Sequence, residues 1–129
     1  MAGIKLDAAG QNKMRTLEEA LLLLQRIHAL VEMYAVAIKN GQATGNFVQN
    51  IRRQLPTLAA NLKNQFGMIS DQVTAVNLAA SRGASETVRL RQLREGVGVI
   101  RQAIEIGLTQ TKDKHKVVEK ARAEGADGA

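Results

Sequence analysis

From residue 17 to residue 118, apolar positions recur at steps of three and four, the spacing of a helix face. The first predicted helix runs over residues 17–39. Leu17, Leu21, Leu24, Val31 and Ile38 form one stripe, and Ala20, Leu23, Ile27, Leu30 and Tyr34 form a second beside it. Two adjacent stripes make a wide buried face, so this helix is expected to pack against more than one neighbour. Thr16-x-x-Glu19 reads as a capping box at its start, and Asn40-Gly41 as its stop.

The second predicted helix starts near Thr44 or Asn46 and ends at Ser81-Arg82-Gly83. Its stripe is Val48, Ile51, Leu55, Leu58, Leu62, Phe66, Ile69, Val73 and Val76, a heptad seam with one four-residue stutter. Pro56 falls inside it and predicts a kink or a break there, because proline removes a hydrogen bond and crowds the preceding turn. A third predicted helix begins after Ser85 and runs to about Ala121, along Leu90, Leu93, Val97, Ile100, Ile104, Leu108, Thr111, His115 and Val118.

Read outward from Gly83, the second and third stripes repeat the same series of steps. Val76 is matched with Leu90, Val73 with Leu93, Ile69 with Val97, Phe66 with Ile100, Leu62 with Ile104 and Leu58 with Leu108. This symmetry predicts one antiparallel hairpin, with Gly83 at the turn supplying a positive φ and Ser85 capping the third helix. In that register Gly67 faces Gly98 and Val99, and Gly107 faces Ala59 and Ala60, so the helical glycines would serve close backbone approach or, as the alternative, a pliable arm.

The expected fold is therefore all-α: a long antiparallel hairpin braced by a shorter N-terminal helix, three-helix bundle-like. Residues 1–14 and 124–129 read as flexible tails around a single domain over 15–123. At ~1.5 Å per residue each hairpin helix spans ~57 Å and the first helix only ~36 Å. The apex of the hairpin, about residues 69–97, is then left without a third helix. Its apolar residues Val73, Val76, Leu78, Val88, Leu90 and Leu93 become the expected oligomer interface.

Composition narrows the function more than the fold. The chain has 129 residues, no Cys, no Trp, one Tyr, two Phe and a net charge of +6. Absence of cysteine excludes disulfides and thiolate metal sites. The longest unbroken apolar run, 33–38, is too short to span a bilayer, and no secretory signal is visible. A cytoplasmic protein, or one within an intracellularly assembled particle, is expected. The excess charge lies entirely in residues 39–101, which hold nine basic and three acidic groups. A localised basic surface draws nucleic acid, anionic lipid or an acidic protein.

In the hairpin register Arg52 and Arg53 would meet Lys112, Lys114 and Lys116 at the open end, while Arg89, Arg91 and Arg94 gather near the apex. Arg91, Arg94 and Arg101 share a helix face. These nine side chains are the candidates for an anionic partner. Arginine faces suit phosphate contacts without base reading, and the shortage of aromatics argues against stacking on single strands.

Candidate chemistry is sparse. His28 and His115 each sit on an apolar seam, where a histidine is more often a hydrogen-bonded boundary residue than a metal ligand. Glu32, four residues after His28, is the one pair that could begin a site. Neither a Gly-rich phosphate loop, nor Gly-x-Ser-x-Gly, nor Glu-x-x-His occurs. The chain is thus expected to be no enzyme, with no cofactor, metal or small-molecule substrate. The expected function is a helical structural or assembly protein, a homo-oligomer or part of a larger protein assembly. The alternative is a basic subunit that binds the nucleic-acid backbone without sequence specificity.

Overall fold

The computed structural model describes residues 5–83 and 85–116. It is all-α and has four helices among the described residues: α1 (Ala8–Lys39), α2 (Gly45–Leu62), α3 (Gly67–Ser81) and α4 (Glu86–His115). Short links over 40–44, 63–66 and 82–85 turn each helix back on the one before, as in an up-down-up-down bundle. α1 adjoins α2 and α4, α3 adjoins α2 and α4, and across the two diagonals the backbones stay apart. The core is built from all four, with Leu17, Leu24, Ile27, Val31 and Tyr34 of α1 meeting Ile51, Leu55, Leu58, Leu62, Ile69, Val73, Leu93, Val97, Ile100 and Ile104.

α1 starts earlier than the Thr16 capping box implied. Asp7 is its N-cap, its carboxylate accepting from the Gly10 amide at 2.7 Å. Thr16 lies inside the helix and donates to the Asn12 carbonyl instead. Residues 8–14 are therefore helical and not a tail. The stop is the expected one. Gly41 has a φ of 66°, and the amides of Gly41 and Gln42 return to the carbonyls of Ile38 and Ala37, a Schellman closure.

The expected second helix is two helices, and Pro56 does not divide them. Pro56 sits within α2, on its exposed side. The chain reverses at 63–66, among Lys63, Asn64 and Gln65. The close packing that follows is anchored by Ser70, whose buried hydroxyl donates to the Ala59 carbonyl at 2.8 Å. A link of about one helical turn returns the apolar phase to Phe66 and Ile69, so the linear pattern runs through the reversal unbroken.

This reversal replaces the long hairpin. The antiparallel partner of α4 along its length is α1, through Tyr34–Arg89, Glu32–Arg94, His28–Arg101 and Lys13–His115. The turn beside Gly83 and the Ser85 cap, which accepts from the Val88 amide at 3.2 Å, stand as expected. The register does not. Val76 packs on Gly96, where an added Cβ would come within 2.5 Å of it, six residues along α4 from the expected Leu90. Leu62 lies on α2, across the diagonal from Ile104, and Phe66 lines a groove with Ala103 and Gly107. Gly107 faces Leu17, and Gly67 and Gly98 face open space. Gly83 does not take a positive φ; among the described residues Gly41 is the glycine that does. The expected helix end near Ala121 and the tail over 124–129 lie outside the described residues.

Candidate functional site

The expected oligomer face is largely consumed by the fold. Val73 and Leu93 are fully buried in the core of the chain itself, because α1 lies along α4 and leaves no bare arm. Val76, Val88 and Leu90 are half-buried, with Val76 and Leu90 packed against the same core. Leu78 alone of the six is exposed. A different apolar surface takes its place. The outer side of α1 exposes Leu22 at 59%, Met33 at 52% and Val36 at 55%, and exposed Ala29 falls on the same stripe. α1 holds an 18-residue window of mean hydropathy 1.5, long and apolar enough by length and composition to cross a membrane. Unbroken runs understate it, since Gln25-Arg26, His28 and Glu32 interrupt the otherwise apolar stretch over 20–38.

The expected basic clusters are also redistributed. A hydrogen bond from Thr44 to Glu86 aligns the starts of α2 and α4. From that level Arg52 lies ~12 Å down the bundle and Lys112 ~39 Å, at about 1.5 Å per residue, so the two groups do not meet. Arg89 is held inside the fold, donating to the carbonyls of Ala80 and Arg82 and to the Tyr34 hydroxyl. Arg94 grips Glu32 with two bonds of 2.9 and 2.7 Å, and Arg101 donates to His28 Nδ1 at 3.2 Å. What reads in sequence as a free arginine face is mostly the lacing of α4 to α1. Arg52, Arg53, Arg91, Lys112, Lys114 and Lys116 remain exposed.

Both histidines stand between a cation and a carboxylate. His28 has Arg101 on Nδ1, and Glu32 3.7 Å from Nε2. His115 has the Asp7 carboxylate 3.2 Å from Nδ1 and the Lys13 ammonium 3.1 Å from Nε2. The second arrangement is the tighter. The Asp7 amide donates to the His115 carbonyl, Leu6 pairs with Lys116, and a Cβ on Gly10 would collide with the Cβ of His115. The Asp7 carboxyl is held below its ordinary 3.8, chiefly by the Gly10 amide it accepts from and then by His115 and Lys13. Arg94 holds the Glu32 carboxyl below its ordinary 4.5, and the guanidinium is raised in return. Among the described residues no group of three or more His, Asp or Glu comes together to hold a metal ion.

A groove opens next to the His115 cluster. α2 and α3 have 18 and 15 residues against 32 and 30 in α1 and α4, so the link at 63–66 ends short of the bundle's far end. Below that link, between the start of α3 and the C-terminal half of α4, lies a cavity of about 440 Å³. Phe66, Ile69, Ala103 and Gly107 line it, with Met68 and Ile106 also on its wall. Lys13, Lys114 and His115 close one end. No sequence signal marks this groove, because its walls come from three helices and the reversal that creates it leaves the apolar period intact. The chain matches no known protein family, no curated protein and no solved structure.

Proposed function

We propose that this chain is a non-catalytic helical assembly protein that associates with further copies of itself through the outer face of α1. The row Leu22, Ala29, Met33 and Val36 carries the reading. Large apolar side chains repeated on one exposed helix stripe are the surface that helix-to-helix association buries. Glu32 borders the row but is already neutralised by Arg94. Both histidines are engaged in the seam between α1 and α4, which supports a structural role for them. The test is mass by light scattering after size exclusion. Wild type should run at a multiple of 14.0 kDa, and Met33→Glu, altering a residue that is half in water already, should run as a folded monomer. A monomeric wild type at micromolar concentration overturns the reading.

A second reading rests on Arg52 and Arg53. They are exposed side by side on α2 and make no ion pair among the described residues. Such a pair suits contact with the phosphate backbone. Reversing both to Glu should weaken binding to DNA and RNA alike and lower the salt slope by about one unit per lost contact. Absence of binding at low salt removes this reading.

A further inference from the structure

We infer that the groove between α3 and α4 is a binding site for a single-chain amphiphile with an anionic head, of the long-chain carboxylate class. This inference stands apart from the assembly reading, which uses the other side of α1. The groove's volume of about 440 Å³ falls in the usual range for small-molecule sites. Its lining is polarised from one end to the other. Lys13, Lys114 and His115 gather at the end where α1 begins and α4 finishes, and no Asp or Glu lines any part of the cavity. Away from that end the wall is mainly apolar, with Phe66 and Ile69 opposite Ala103 and Gly107, and its polar members, Gln65, Gln72 and Gln110, are uncharged. Met68 is 83% exposed and Ile106 49%, uncommon for such side chains and placed where an alkyl chain would cover them.

The cation at the head end is positioned before any ligand arrives. Lys13 spends one N–H on His115 Nε2, and the imidazole is fixed from behind by Asp7, the N-cap of α1. Two ammonium protons are left over. A lysine already ordered loses little rotamer freedom on binding, so more of its contact energy appears as affinity. Asp7 holds the ring from outside the groove and is not part of its lining. The same layout selects against other ligands. A molecule charged along its length would strand those charges against Met68 and Ile106. A cationic head would meet Lys13 and Lys114.

The experiment titrates the full chain with dodecanoate, below its micelle concentration, by isothermal calorimetry. Dodecyltrimethylammonium and dodecyl maltoside carry the same tail on a cationic and a neutral head. Dodecanoate should bind saturably at one per chain, about tenfold or more tighter than either, the worth of a charge-assisted contact. Lys13→Gln should remove that preference and leave the maltoside unchanged. Ile106→Glu should weaken all three, and Met33→Glu should weaken none. If circular dichroism shows that Lys13→Gln disturbs the fold, Lys114→Gln at an exposed position carries the same arm. Three results overturn the proposal: no saturable binding, equal affinity for the three heads, or binding lost in Met33→Glu and kept in Ile106→Glu.

Discussion

The seam between α1 and α4 carries the same chemistry twice, a histidine with a cation on one ring nitrogen and a carboxylate near the other, and the two places are held very differently. At His28 the side chain is 42% exposed and Glu32 stands 3.7 Å away, so the cluster is an electrostatic lacing on a surface. At His115 the side chain is 14% exposed, and two backbone pairings and a glycine bring the helices together around it. The same three kinds of group, imidazole, cation and carboxylate, thus serve as a rim contact in one place and as a closure in the other. Backbone proximity makes the difference, since a charge pair in water contributes little while a well-packed closure excludes water from its neighbours.

The widest separation between the two places comes from adding one methyl group. Gly10→Ala should cost about 1–3 kcal/mol, the usual penalty for overpacking, because the atom it meets is the Cβ of His115 and cannot rotate away. The same change at Gly98, which meets nothing within 4 Å on α4, should stabilise by roughly 0.5–1 kcal/mol through helix propensity. Urea unfolding of the two variants against wild type checks both signs. If Gly10→Ala and Gly98→Ala are equally stable, the closure at His115 is not tight.

Acidification should touch both places in the same direction. The folded carboxyls of Asp7 and Glu32 lie below their ordinary 3.8 and 4.5. The folded state therefore holds fewer protons than the unfolded state across that interval. Their stabilisation is complete above the ordinary carboxylate range and is lost as pH falls through the lowered folded values. Unfolding midpoints at pH 6 and pH 3 should differ less in Asp7→Asn and in Glu32→Gln than in wild type. An unchanged acid limb in both variants would show that neither contact persists in solution.

The smallest effect belongs to His28. Its cluster is exposed, so His28→Ala should shift stability by less than about 1 kcal/mol. His115→Ala should exceed it, because it removes the ring that Lys13 and Asp7 share. Thermal melts of the two variants compare them directly, and an equal loss would erase the contrast between rim and closure.

Much of the fold was legible because it depends on local chemistry. The helical period, the stop at Asn40-Gly41, the turn next to Gly83 and the cap at Ser85 all follow from residues within a few positions of one another. So did the wide apolar face of the first helix, which does pack against two neighbours. The early start of α1 was missed through a competing signal. Asp7-x-x-Gly10 has no acidic or amide side chain at the third position, whereas Thr16-x-x-Glu19 imitates a capping box inside the helix.

What the linear pattern could not carry was the direction of the chain between residues 62 and 67. A link that advances the apolar phase by about one turn looks like continued helix, and only the packing of Ser70 against Ala59 and of α1 along α4 settles the reversal. That one decision kept only α3, the second half of the predicted helix, beside α4 and laid α1 along the length of α4. It buried Val73 and Leu93, gave Arg89, Arg94 and Arg101 partners on the chain itself, and opened the groove beside His115. The sequence alone determined the helical period and the apolar stripes, because propensity, caps and periodicity are local. Which faces meet was decided by tertiary packing, because burial of the core is shared among residues far apart in the chain and several arrangements satisfy the same period.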